Sequence, residues 1–198
     1  MRQALGLPEL RDPSRAEKKF PTFVPLEYLR RIQPGDPEDP LLLQVLPSPD
    51  EDAGQIGFTA DPVGERDAMV AEGAMQKYAG RALIVTTGAC GVHCRYCFRR
   101  EFPYAEQGSR SQRWRPSIEY LRKNSDIEEV LLSGGDPLTV VDSALSELIG
   151  SIETIGHIRR LRIHTRMPIV IPQRVTDELV RRLASSRLTV WFVVHANH

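Results

Sequence analysis

Cys90, Cys94 and Cys97 are the only cysteines of the 198-residue chain, and they lie within one short segment. An odd, clustered set of cysteines makes a poor disulfide framework, whereas such clusters in a reducing compartment more often bind metal. The Cys-x-x-x-Cys-x-x-Cys spacing can hold three irons of a [4Fe–4S] cluster, because thiolates are the usual ligands of such clusters. Structural zinc, with His93 or a distant residue as fourth ligand, is the alternative that the cysteines leave open.

The segment Ser133-Gly134-Gly135-Asp136 is a second candidate site, because it ends an apolar run that begins at residue 128. Glycines at a strand end let a ligand approach the backbone closely, and their amides can meet a carboxylate or an amino-acid group. A plain turn between a strand and a helix, capped by Asp136, is the alternative. The segment alone does not decide between the two interpretations.

Two groups of basic residues could bind anions. Lys77, Tyr78 and Arg81 precede a predicted strand, and a cationic pair around a tyrosine can hold a phosphate. Arg99 follows the last cysteine and could clamp a substrate carboxylate. A solvated basic patch is the alternative for the first group, and a surface ion pair is the alternative for Arg99.

Short apolar runs alternate with amphipathic segments from residue 81 onward, which predicts βαβ units and a parallel sheet. The predicted strands are residues 82–87, 128–135, 161–166 and 189–194, and the predicted helices are residues 116–124, 142–155 and 175–184. The cysteines follow the first predicted strand, and the glycine segment ends the second. Four further polar residues lie at the ends of the third and fourth strands, namely His164, Arg166, His195 and Asn197. This arrangement favours an α/β barrel with its site at the carboxyl ends of the strands. A barrel does not close on four strands, so we expect the sheet to continue beyond residue 198.

Residues 1–80 are rich in proline and acidic residues, and they predict a helical and loop extension ahead of the partial barrel at 81–198. Residues 25–32 are a predicted short helix within it. The chain has zero formal net charge, which speaks against nucleic-acid binding. It shows no membrane-length apolar run and no evident secretory signal, so a cytoplasmic location is expected.

Several separate motifs together resemble the radical S-adenosylmethionine (SAM) lysine 2,3-aminomutase family. They are GACGVHCRYCFRREFPYAE, LLSGGDPL, RIHTRMPIVIPQRVT and VVHANH, and they occur in the order that the family shows. The sequence of the cysteine motif and residues 35–47 (GDPEDPLLLQVLP) most resemble the sequences of one branch of the family. That branch β-lysylates elongation factor P. The resemblance runs from about residue 14 to the end of the chain.

The resemblance implies an isomerase that converts L-lysine into β-lysine with a [4Fe–4S] cluster, SAM and pyridoxal phosphate (PLP). It assigns the three cysteines to the cluster and Arg99 to the lysine carboxylate. Tyr78 and Arg81, with Lys77 where some relatives have Arg, match the contacts to the PLP phosphate. Ser133, Gly134, Gly135, Asp136, Arg166 and His195 match the SAM side of the site.

No residue of this chain matches the family's PLP-bearing lysine or its ligands for the substrate amines. We therefore expect the 198 residues alone to be incomplete for activity. A glutamate or arginine aminomutase with the same cofactors remains an alternative, as does an inactive fragment that only binds an iron–sulfur cluster. The resemblance also implies a functional link to the modification of elongation factor P and a possible homo-oligomer.

Overall fold

The computed structural model of the protein describes residues 1–7, 15–53, 56–104 and 114–198. Its centre is one mixed sheet of six strands, whose spatial order follows the order of the sequence. The strands are β1 (Met69–Ala71), β2 (Ala74–Tyr78), β3 (Arg81–Thr87), β4 (Glu129–Gly134), β5 (Arg160–Thr165) and β6 (Thr189–Val194). The first three strands pair antiparallel, and β3 to β6 pair parallel.

Each parallel connection contains a helix. The helices of the described chain are α1 (Arg15–Lys19), α2 (Leu26–Leu29), α3 (Arg115–Lys123), α4 (Asp142–Glu153), α5 (Met167–Val170) and α6 (Asp177–Ala184). The α6 helix begins after Thr176, whose side chain accepts a hydrogen bond from the Leu179 amide at 3.1 Å. Such a cap satisfies one of the amides that a helix start leaves without a partner.

The main core lies between the parallel strands and the helices α3, α4 and α6. Their apolar positions recur at helical spacing and are buried, as at Leu145, Leu148, Ile149 and Ile152 of α4. A second apolar cluster brings the N-terminal residues Tyr28, Leu42 and Val45 against Val92 of the cysteine loop and Val170 of α5. The N-terminal part of the chain is thus packed on the loop that carries the cysteines.

The structure confirms the α/β class, the four predicted parallel strands and the three helices between them, with ends shifted by at most two residues. The sequence prediction did not include β1 and β2, which lie within residues 1–80 and extend the sheet beyond β3. Their sequences lack the apolar runs of the buried strands, and β2 ends in the exposed residues Lys77 and Tyr78. None of the helices in the described residues is long and apolar enough to cross a membrane.

Candidate functional site

A cavity of about 560 Å³ opens at the carboxyl ends of the parallel strands. Its wall contains most of the predicted site residues, namely Cys90, Cys94, Cys97, Arg99, Ser133, Gly134, Gly135, Asp136, Arg166 and His195. The structure therefore brings the three cysteines together with Arg99 and with the residues predicted for the SAM side. Ala105 and Glu106, which end the cysteine motif, lie outside the described residues.

The glycine segment holds the start of the cysteine loop. The Gly135 amide donates to the Thr87 carbonyl, and the Asp136 amide donates to the Ala89 carbonyl, each at 2.7 Å. A Cβ atom at Gly135 would lie 2.2 Å from the Ala89 carbonyl oxygen, so only glycine permits this approach. The Gly135 and Asp136 amides therefore bind the start of the cysteine loop. The sequence had suggested either that the amides of this segment bind a ligand or that the segment is a plain turn.

The cysteine side chains are half-buried and free of disulfides. Burial, followed by the charges of Cys97 and Asp136, raises the pKa of the Cys90 thiol to about 12. Burial also raises the pKa of the Cys97 thiol, against the lowering effect of a backbone hydrogen bond from Arg99. Both thiols are therefore protonated at neutral pH in the metal-free protein, and binding a metal releases their protons.

Arg166 lies behind the cysteine loop. Its Nη1 donates to the Cys94 sulfur at 2.7 Å, and its Nη2 reaches the Tyr28 hydroxyl at 3.4 Å and the Gln44 side-chain oxygen. Hydrogen bonds to a cluster's sulfur ligands are one of the means by which a protein sets the reduction potential. Arg166 thus contacts Cys94 directly, and it also lines the cavity that is predicted to hold SAM.

Arg99 forms an ion pair with Glu65 that is buried, whereas the alternative left open by the sequence was a surface ion pair. Its Nη2 lies 2.5 Å and its Nε 2.8 Å from the two oxygens of Glu65, and its Nη1 donates to the Ser133 hydroxyl at 2.8 Å. Glu65 precedes Arg99 by 34 residues and lies in a loop with no periodic pattern, so no local signal pointed to it. Glu65 therefore occupies the Nε–Nη2 edge of the guanidinium and fixes its orientation in the cavity wall.

Asp136 joins the ends of β4 and β5. Its carboxylate accepts from the Thr165 hydroxyl at 2.7 Å, from the Arg166 amide at 2.7 Å and from the Met167 amide at 3.2 Å. It also caps the turn that follows, through the Leu138 amide at 3.0 Å. The capping role that the sequence left open for Asp136 is therefore present, and the carboxylate also fixes the neighbouring strand end.

The two histidines of the cavity differ in their surroundings. His164 has a buried Nε2 without a hydrogen-bond partner, and burial, then the charges of Arg162 and Arg99, lower its pKa. His195 is exposed at the end of β6, and its ring meets the Tyr96 ring edge-on at 5.6 Å. His164 is thus neutral, with a nitrogen free to contact a ligand.

A second, smaller cavity of about 100 Å³ lies at the β2–β3 turn. Lys77, Tyr78 and Arg81 line it, as the predicted phosphate contacts would require, and the Arg81 guanidinium lies 5.8 Å above the Tyr78 ring. Glu65 and Leu83 also line this cavity. Because Leu83 lines the large cavity too, and Glu65 binds Arg99 there, the two cavities are neighbours.

The residues of the large cavity fit an iron–sulfur cluster with a small polar ligand. Three free cysteines face one space, and two side chains in its wall, His164 and Arg166, have buried nitrogens (Nε2 and Nε) without a partner. In the described chain, no group of three His, Cys, Asp or Glu side chains is placed to hold a single metal ion. In a cubane the three thiolates bind three different irons, which fits cysteines spread around a cavity.

Comparison with known families agrees with this geometry. Residues 79–165 match the model of a 4Fe-4S single cluster domain, and this span contains the cysteines and the glycine segment. Over these residues the chain is thus similar to iron–sulfur domains that hold a single cluster.

The chain is more specifically a homologue of proteins named L-lysine 2,3-aminomutase. It is 45% identical to the one from Haemophilus influenzae over 198 residues, which are 99% of this chain and 59% of the relative. It is 46% identical to the one from Escherichia coli (92% of this chain, 53% of the relative) and 36% identical to the one from Clostridium subterminale (86% and 41%). The chain spans between about two fifths and three fifths of the length of these three relatives.

Proposed function

We propose that the protein is a radical SAM isomerase that converts L-lysine into β-lysine. The observation that carries this proposal is that one cavity gathers Cys90, Cys94, Cys97 and Arg99 beside a second cavity lined by Tyr78 and Arg81. When bound, a cluster with SAM would supply hydrogen abstraction, and PLP would stabilise the substrate radical while the nitrogen migrates. The relatives named L-lysine 2,3-aminomutase support the same reaction.

The residues of the chain divide this work between the two cavities. The cysteines hold the cluster, and Ser133, the glycine segment, Arg166 and His195 form the wall on the SAM side. Arg99 binds the lysine carboxylate, for which its contacts to Glu65 and Ser133 already orient the guanidinium. Tyr78, Arg81 and Lys77 hold the PLP phosphate at the β2–β3 turn.

The sheet is proposed to be part of a TIM-like, crescent-shaped barrel. The strands β3 to β6 are parallel, lie in sequential order and alternate with helices, as the strands of a (βα) barrel do. The cavity lies at their carboxyl ends, where barrel enzymes place their sites. Clustered free thiols fit a reducing compartment, so we place the protein in the cytoplasm.

A link to the modification of elongation factor P is the finer part of the proposal. The support for this link is that the cysteine motif and residues 35–47 resemble the branch of the family that modifies elongation factor P. Its test is whether β-lysine made by the protein appears on elongation factor P in cells, and whether deletion of the gene removes it.

The substrate is tested with the complete gene product, reconstituted anaerobically with iron, sulfide, SAM and PLP. Isotope-labelled lysine should yield β-lysine. Arg99→Lys keeps a positive charge opposite Glu65 but loses the planar two-point donor, so it should weaken lysine use more than it lowers the cluster content. Labelled glutamate and arginine serve as the comparison. Conversion of either of these in preference to lysine would contradict the assignment of the substrate.

A further inference from the structure

The N-terminal segment 16–51 contacts the residues between the cysteines directly. The His93 amide donates to the Phe23 carbonyl at 2.9 Å, and the Arg95 amide donates to the Gln44 carbonyl at 2.8 Å. The His93 ring lies 2.7 Å from the Pro21 carbonyl through its Nδ1 and stacks on Phe20 at 4.6 Å. The segment therefore forms one wall around the loop of Cys90 to Cys97.

Arg95 carries the strongest of these contacts. It lies between Cys94 and Cys97 and is 8% exposed. Its guanidinium donates to the Phe20 carbonyl at 2.6 Å and to the Ala16 carbonyl at 3.3 Å. Its Nε and Nη2 donate to the two carboxylate oxygens of Glu51, at 3.0 and 2.7 Å.

Glu51 binds a second arginine of the same loop. The Arg100 Nη1 donates to Glu51 Oε2 at 2.7 Å, so one carboxylate joins arginines on both sides of Cys97. The carboxylate is itself held in place, because the Ser48 amide donates to its Oε1 at 3.0 Å in a capping box. Arg99 lies between Arg95 and Arg100 in the sequence, but it forms its ion pair with Glu65 and not with Glu51.

We propose that Glu51 is a positioning residue that fixes the cysteine loop for the cluster. Without its charge, Arg95 becomes a buried cation without a counter-ion, and Arg95 and Arg100 repel each other across Cys97. The loop then leaves the conformation in which Cys94 and Cys97 face the same cavity. The role of Glu51 toward the cluster rests on the proposed function, whereas its effect on the loop does not.

The first experiment uses the metal-free full chain. Amide hydrogen exchange is compared in the wild type, Glu51→Gln and the matched control Glu38→Gln, which changes an exposed glutamate of the same segment. In Glu51→Gln, the amides of His93, Arg95 and Cys97 should exchange faster by on the order of tenfold, while those of β3 to β5 keep their rates. The control should match the wild type.

The second experiment measures the cluster after anaerobic reconstitution. Iron should be lost to a chelator several-fold faster from Glu51→Gln than from the wild type, with a changed electron paramagnetic resonance spectrum. Glu51→Asp keeps the charge on a shorter side chain and should restore part of the retention. Glu38→Gln should again behave as the wild type.

Unchanged exchange at residues 93–97 in Glu51→Gln would overturn the proposal, and so would an equal rise across the whole sheet, which indicates loss of stability alone. If Glu51→Gln does not fold, the amide exchange of residues 93–97 is compared between Glu51→Asp and the wild type, and unchanged rates again overturn the proposal. A wild-type chain that takes up no cluster refutes the proposed function, while the exchange measurement still decides whether Glu51 fixes the loop.

Discussion

Arg99 is held in one orientation by its neighbours, because Glu65 takes Nε and Nη2 while Ser133 takes Nη1. The two charged side chains are only 9% and 7% exposed. Removing one member of such a pair leaves a buried charge without compensation, which costs about 3–5 kcal/mol. The pair therefore matters for the fold as well as for the site.

Glu65→Ala should lower the free energy of unfolding of the chain by about 3–5 kcal/mol, because Arg99 loses its counter-ion. Urea unfolding followed by circular dichroism measures this change. Glu119→Ala is the control, since the Arg115–Glu119 pair is exposed and its loss should leave the midpoint in place. An equal response of the two variants would show that the Arg99–Glu65 pair is not buried as described.

The pH dependence of stability should report on Glu51. Burial alone would raise its pKa, but hydrogen bonds from Arg95, the Ser48 amide and Arg100 outweigh it and lower the pKa to about 2. The stabilisation is therefore complete above the ordinary value of 4.5 and is lost as the pH falls toward 2.

The difference in unfolding free energy between the wild type and Glu51→Gln should be constant above pH 5 and shrink below about pH 4.5. Urea titrations at a series of pH values measure it. A difference that stays constant down to the lowest pH would mean that the Glu51 pKa is not depressed.

At the scale of elements, Asp136 connects the carboxyl ends of β4 and β5. It lies at the end of one strand and accepts from two backbone amides at the end of the next. Each buried donor that loses its acceptor costs about 1–3 kcal/mol, so the carboxylate stabilises the edge of the sheet that carries the cavity.

Asp136→Ala should lower the free energy of unfolding by more than about 3 kcal/mol, and Asp136→Asn by less, because the amide keeps one acceptor oxygen. Chemical denaturation of both variants measures the losses. Asp126→Ala changes an exposed residue and should unfold at the same denaturant concentration as the wild type. Equal stability of Asp136→Ala and the wild type would contradict the role of Asp136 as a link between strands.

The parallel strands and their helices could be predicted, because buried runs such as residues 82–87 and helical spacing in α4 are strong local patterns. The strands β1 and β2 could not, since β1 has only three residues and β2 is partly exposed. Their place in the sheet depends on antiparallel pairing with β3, which is a tertiary effect.

At the scale of the molecule, the sequence motifs located the cavity, and the structure showed what surrounds it. Glu51 and Glu65 hold arginines that follow them by 34 to 49 residues, and each lies outside the helices and strands that carry a periodic pattern. Such long-range pairs leave no trace in local composition. The sequence therefore predicted the cysteines and Arg99, whereas their supports required the structure.

The two neighbouring cavities account for the separate motifs of the sequence. The cysteine loop and the glycine segment meet at the larger cavity, and residues 77–81 line the smaller one beyond the Arg99–Glu65 pair. The proposed reaction requires that Cys90, Cys94 and Cys97 hold a [4Fe–4S] cluster with one iron open to SAM.

The most direct test is anaerobic reconstitution of the chain with iron and sulfide, followed by spectroscopy of the reduced protein with and without SAM. The wild type should bind iron and sulfide in equal amounts and give a cluster signal that SAM changes, and Cys94→Ala should lose that signal. A colourless protein that binds zinc stoichiometrically, with no response to SAM, would show that the three cysteines hold zinc and not a [4Fe–4S] cluster.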